Sequence, residues 1–195
     1  MTLLKEWRLH IKKEPKYKQR SERKREEYIK LLVDIDINRI HYIDETGSNN
    51  KTVPTHGWSL KGDKSYSEQL AFYTERTNML AAYRYHDKQL IAPFEYEGST
   101  DSHLFSGWFE QCLCPNLKPG DYVIMDNAAF HKGDDIVEIA QKHNINIVYL
   151  PAYSPDLNPI EKFWANFKRN LRKLVKKYKS FKEAITYALR KTISG

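Results

Sequence analysis

The sequence predicts one α/β domain built on a mixed five-stranded sheet flanked by helices. Two short apolar runs, IHYIDET from Ile40 and YVIMDNAAFH from Tyr122, have the form of central strands. The element order reads strand, hairpin, helix, strand, helix, strand, helix, which mixes antiparallel and parallel pairing around one sheet. With 195 residues the chain is long enough for one real core and too short for two full domains.

Residues 1–35 form the most charged part and read as a basic arm that becomes a helix near Ser21 to Val33, with Ser21 as its cap. That helix is either a solvated charged surface or a linker touching a polyanion. Residues 36–195 are the folded domain. Asn38 to Glu45 is the first strand, with Ile40, Tyr42 and Asp44 on one face by two-residue periodicity. Thr46 to Lys64 is polar and glycine-punctuated, and reads as a loop or short hairpin containing Trp58. Leu70 to Tyr85 and Gln89 to Tyr96 pair as an antiparallel hairpin around a turn at Asp87-Lys88.

Ser99-Thr100-Asp101 opens a helix reaching about Leu113, whose Leu104, Phe105, Trp108, Phe109 and Cys112 recur at helical spacing. Asp121 to Asn127 is a buried strand. Asp134 to His143 is a helix burying Ile136, Val137, Ile139 and Ala140, and Ile145 to Leu150 is the last strand. The C-terminal part from Asn158 to Thr192 is helical, with Phe163, Phe167, Leu171 and Leu174 facing the core. Ser180 to Glu183 is a capping box that opens the final helix.

The formal charge of +7 points to a polyanionic partner, and the cations are clustered. From Lys162 to Lys179 there are eight basic residues and no acid. Lys168, Arg169, Arg172, Lys173, Lys176 and Lys177 recur at three- and four-residue spacing. A face of one sign repels itself unless a counter-charge such as a phosphate backbone covers it. Cys112 and Cys114 lie in an apolar stretch and read as structural thiols, which suits a reducing cytosol. No run approaches the length needed to cross a bilayer, and the N-terminus lacks a signal-peptide core.

Asp44 and Asp126 end apolar strands, where a carboxylate is costly to bury unless it is paired or binds metal. Glu161 follows in LPAYSPDLNPIEKFW, with 34 residues between it and Asp126, at a strand-to-helix junction. Asn158 suits an N-cap and Pro159 a first helical position, so Glu161 is either the return arm of a capping box or an acidic ligand at the sheet's mouth. Three such acids in these contexts suggest one active site. Glu45 points to the other strand face and is a weaker ligand candidate. Asn127 and His131 sit within the second run. His131 either orients a ligand, touches a phosphate or caps the next helix.

The motifs DET, DNAAFH and YSPDLNPIEKFW, in this order over roughly Asn38 to Lys173, resemble the catalytic domain of mariner-like DDE transposases of bacterial insertion sequences. The resemblance implies a ribonuclease-H-like fold and a metal-dependent DNA endonuclease and strand transferase. It implies two divalent ions, magnesium or alternatively manganese, with Asp44 bridging both and Asp126 and Glu161 each holding one. The implied partners are double-stranded element ends and target DNA, often at TA dinucleotides, bound by a homodimer near the bacterial nucleoid. The DNA contacts expected here are Lys168, Arg169, Arg172, Lys173 and Lys176. Relatives begin with helix-turn-helix domains, and about 35 residues before the first strand are too few for one. An upstream-frame helix-turn-helix protein is therefore an expected partner. Two rival readings are a non-catalytic DNA-binding remnant and a nuclease acting on RNA–DNA hybrids.

Overall fold

A computed structural model describes residues 20–50 and 75–194. The loop expected around Trp58 and the arm before Arg20 lie outside these described residues. The elements run α1 (Glu22–Val33), β1 (Ile40–Asn49), β2 (Arg76–Arg84), β3 (Gln89–Tyr96), α2 (Ser102–Trp108), β4 (Tyr122–Met125), α3 (Asp134–Lys142), β5 (Asn146–Tyr149), α4 (Ile160–Leu174) and α5 (Phe181–Ile193).

Among the described residues the sheet has five strands, in the order β3-β2-β1-β4-β5. β1 pairs antiparallel with β2 and parallel with β4, and β4 pairs parallel with β5. This is the expected mixed topology. Strand alternation sends Tyr42, Met79, Ala81, Tyr83 and Ile124 to one face, packed with Trp164, Phe167 and Ile185 from α4 and α5. It sends Ile43, Leu80, Ala82, Val123 and Met125 to the other, packed with Phe105, Trp108 and Ile136 from α2 and α3. Tyr28 of α1 joins the first cluster, so that helix is docked on the domain.

Several boundaries differ from the expectation, each for a local reason. β1 runs on to Asn49 because β2 pairs with it as far as Asn49↔Arg76, so polar residues read as loop are held by a ladder. The helix after Asp101 is α-helical only to Trp108 and continues as a π-helical turn, Phe109–Leu113. Val137 is exposed, while Ile136 and Ala140 face the core. Ser21, Asp101 and Ser180 accept hydrogen bonds from the amides of Lys24, Leu104 and Glu183, as N-caps do. The box at Asn158 does not form. α4 starts at Ile160, and the Asn158 side-chain oxygen is buried without a hydrogen-bond partner among the described residues. The basic run also outlasts its helix: α4 ends at Leu174, so Lys176 and Lys177 lie in the following turn.

The N-terminal ends of β1 and β4 are tied together by a polar cluster around the buried Asp121. Asp121 accepts from Arg39 Nε at 3.2 Å and from the Lys118 amide at 2.9 Å, and lies 3.1 Å from His41 Nε2. Burial holds His41 below its ordinary pKa despite this carboxylate.

Candidate active site

Tyr42 and Ile124 are the last couple paired across β1 and β4. Asp44 and Asp126 each stand two residues further on, so the two parallel neighbours present them at the same end of the sheet and on the same face. That face is the one α4 covers, and Glu161 sits in the first turn of α4. All three acids line one cavity of about 560 Å³, together with Asn127, Ala128, Asn158 and the loop from Leu150 to Pro155. The loop places Tyr153 in the left-handed region (φ 58°), a conformation that costs a non-glycine residue on the order of 1 kcal/mol.

The acids differ in surroundings. Burial is the main reason the Asp44 carboxyl is pushed up to about 8, and the neighbouring charges of Glu161, Glu45 and Asp126 add to it. Partial burial also raises Glu161, against the pull of Lys168, and the charge of Asp126 adds to the rise. Asp126 is held low, first by a hydrogen bond from His131. Its Oδ1 lies 2.7 Å from His131 Nδ1 and accepts from the Ala128 amide at 2.9 Å.

His131 is fully buried, with its ring against Phe105 at 4.3 Å and Phe130 at 4.4 Å between centroids. Its Nε2 lies 3.0 Å from Glu45 Oε1. Burial alone would lower His131, but the hydrogen bonds to Asp126 and Glu45 outweigh it and raise the imidazole to about 9. It is therefore a cation clamped between two carboxylates, which neither the helix-cap nor the phosphate reading anticipates. Asn127 donates its side-chain amide to the Leu150 carbonyl and so ties the ends of β4 and β5. Glu45, discounted because it faces the opposite side, is joined to the site through His131. The signal for that link is only the alternation of Asp44 and Glu45 along β1, since the two partners are 86 residues apart.

The residues fit a hard divalent cation by their chemistry. Asp44 has no ion pair among the described residues, and the nearest charges around it are other carboxylates. Oxygen donors of this kind suit magnesium or manganese. Among the described residues no three histidine, cysteine or acidic side chains are gathered into a ready-made cage.

Lys168 and Arg172 lie seven and eleven residues after Glu161, within about 20° of its direction around α4. Arg169 and Lys173 are turned about 80–120° away from it. Lys168 is half-buried, and Arg169, Arg172, Lys173 and Lys176 are exposed.

A mixed sheet in this strand order, with Asp44 within β1, Asp126 just after β4 and Glu161 in the first turn of the packed helix, has the ribonuclease-H-like fold. A family model described as DDE superfamily endonuclease matches residues 39–185, and the chain belongs to that family. Among solved structures it is similar to the Mos1 transposase paired-end complex with left transposon end, at 15% identity and TM-score 0.56, over 87% of this chain and 56% of that one. The Mos1 strand transfer complex aligns at 16% identity and TM-score 0.57, over 87% and 56% of the two chains. The catalytic core domain of BIV integrase aligns at 12% identity and TM-score 0.50, over 78% and 81%. At these identities the likeness is one of fold, and the chain spans just over half the length of the Mos1 chains. No curated protein matches the sequence. No helix among the described residues is long and apolar enough to cross a membrane.

Proposed function

We propose that this chain is the catalytic domain of an insertion-sequence transposase, which cuts DNA at element ends and joins the freed 3′-hydroxyl to target DNA. The observation that supports this most is the meeting of Asp44, Asp126 and Glu161 around one cavity on a fold of the DDE endonuclease family. On this reading Asp44, Asp126 and Glu161 would together hold two divalent ions, magnesium or manganese. Such ions supply activation of the attacking oxygen and stabilisation of the leaving one.

The chain's own residues do the rest. His131 keeps Asp126 ionised and, with Glu45, fixes its direction. Lys168 and Arg172 share the direction of Glu161, so they meet phosphates flanking the scissile bond, while Arg169, Lys173 and Lys176 meet the duplex further out. A homodimer bridging two ends and a helix-turn-helix protein supplying end recognition complete the proposed assembly.

The test is a nicking assay on DNA carrying the element ends, with the helix-turn-helix partner added. Magnesium or manganese should support cutting and a chelator should stop it. A parent protein that never cuts with its partner present leaves the non-catalytic remnant as the better reading.

Charge reversal of Lys168, Arg172 and Lys176 to glutamate is expected to weaken duplex binding regardless of sequence. Each lost phosphate contact should also flatten the dependence of log affinity on log salt by about one unit of slope. Unchanged affinity and slope would make this face ordinary solvated surface.

A further inference from the structure

Helix α1 precedes the stretch matched by the family model, which starts at residue 39. Its charged character reads in the sequence as solvated surface or a DNA-touching linker. The structure gives it a different task. Arg25 is only 7% exposed. Its guanidinium donates to both carboxylate oxygens of Asp156, from Nη1 to Oδ1 at 3.0 Å and from Nη2 to Oδ2 at 2.6 Å. This two-pronged pairing is the strongest and most directional form of a charged hydrogen bond.

Asp156 belongs to the short 3-10 turn Pro155–Leu157, which ends the loop lining the acid cavity, and Glu161 follows five residues later. The hydrogen bonds from Arg25, with its charge, hold the Asp156 carboxyl below its ordinary range. Arg20 reinforces the pair, with Nη1 3.8 Å from Asp156 and Nε 3.0 Å from Glu22, whose carboxylate also lies 3.7 Å from Arg25. One turn further along α1, on the same side, Tyr28 is buried in the core cluster beside Ile160 and Trp164. The helix is thus fixed to the body of the domain by Tyr28 and to the cavity loop by Arg25.

We propose that Arg25 is a positioning residue for the active site, holding the loop from Pro151 to Asn158, and through it Glu161, by its bidentate clamp on Asp156. The inference rests on the catalytic reading of the cavity for its effect on cutting, but its structural part can be tested alone. No other cation holds this loop as closely among the described residues, and its Tyr153 is already in a conformation that needs support from its surroundings.

The experiment compares the parent with Arg25→Ala, Arg25→Lys, Asp156→Asn and the charge swap Arg25→Asp/Asp156→Arg. Asp156 is 47% exposed and asparagine keeps an oxygen that can accept from Arg25, so Asp156→Asn is expected to disturb folding less than Arg25→Ala. Amide hydrogen exchange across 152–161 should speed up by about tenfold or more in Arg25→Ala and Asp156→Asn, while amides of β1 and β4 stay at parent rates. The swap should restore much of the protection, and lysine less, because it lacks the fork. Calorimetry with manganese alone should show weaker binding in the same two variants, and nicking should lose kcat with little change in KM for DNA.

Loop exchange at parent rates in Asp156→Asn overturns the proposal. So does an increase spread evenly over the sheet, which would mark general loosening. If the parent itself does not cut, the catalytic reading fails, and the exchange pattern still decides the role of the clamp.

Discussion

Asp126→Asn is expected to abolish nicking and strand transfer, with a loss of at least 10²–10³-fold, on the order seen when one charge-stabilising group is removed from an active site. Duplex binding without metal should stay within about twofold of the parent, because affinity comes from cations elsewhere on the chain. The substitution is conservative in shape. The Asn side-chain oxygen can still accept from the Ala128 amide, the contact Asp126 makes at 2.9 Å. What disappears is the charge that faces the cavity and that pairs with His131 at 2.7 Å. Parallel nicking and binding assays check it, and a variant that cuts as fast as the parent removes Asp126 from the proposed ligand set.

Asp44→Asn should make the metal-free protein more stable while removing activity. The Asp44 carboxyl is pushed up to about 8 by burial and by the acids around it. An acid whose folded pKa exceeds its unfolded value destabilises the fold progressively as pH rises from about 4, with the full penalty reached near the folded pKa. At pH 7 the amide should therefore gain roughly 1–3 kcal/mol. For a chain of this size that is a rise in Tm of about 2–12 °C. The gain should vanish near pH 4, where both forms are neutral at this position. Magnesium or manganese should raise the Tm of the parent and leave that of the variant nearly unchanged. Thermal unfolding at pH 4, 7 and 8, with and without the ion, measures all of this. Equal stability of the two proteins at pH 7 would mean that Asp44 is not an electrostatic burden in the folded state.

The parts of this molecule that were legible in the sequence are those that local pattern controls. The acids at the ends of apolar runs, the amphipathic stretch of Phe163, Phe167 and Leu171, and the serine caps at Ser21 and Ser180 all follow from residues a few positions apart. The parallel pairing of β1 with β4 then places Asp44 beside Asp126 with no further information.

What escaped depends on partners distant in the chain. His131 meets Glu45 across 86 residues, and Arg25 meets Asp156 across 131. Nothing in the neighbourhood of either residue announces the other. The cap at Asn158 failed for a competing local reason. The preceding 3-10 turn already uses the Asn158 amide, which donates to Pro155, and the helix starts only at Ile160. Thr46 to Asn49 looked like loop because polar side chains conceal a strand that its neighbour's ladder extends.

The cluster of Arg39 with the buried His41 and Asp121 has a consequence for the far end of its strands. β1 and β4 share only three paired couples, from Ile40↔Tyr122 to Tyr42↔Ile124. A slip of two residues would preserve which side chains face each layer, so hydrophobic patterning alone does not forbid it. Such a slip would move Asp44 past Asp126 by about 6.6 Å, too far for one ion to touch both. It would also strip the buried Asp121 of Arg39 and His41 together and leave it the Lys118 amide alone, a penalty of about 1–3 kcal/mol. The cluster therefore works as a vernier stop. Set at the end of the strands opposite the acids, it fixes the height at which the two aspartates face one another.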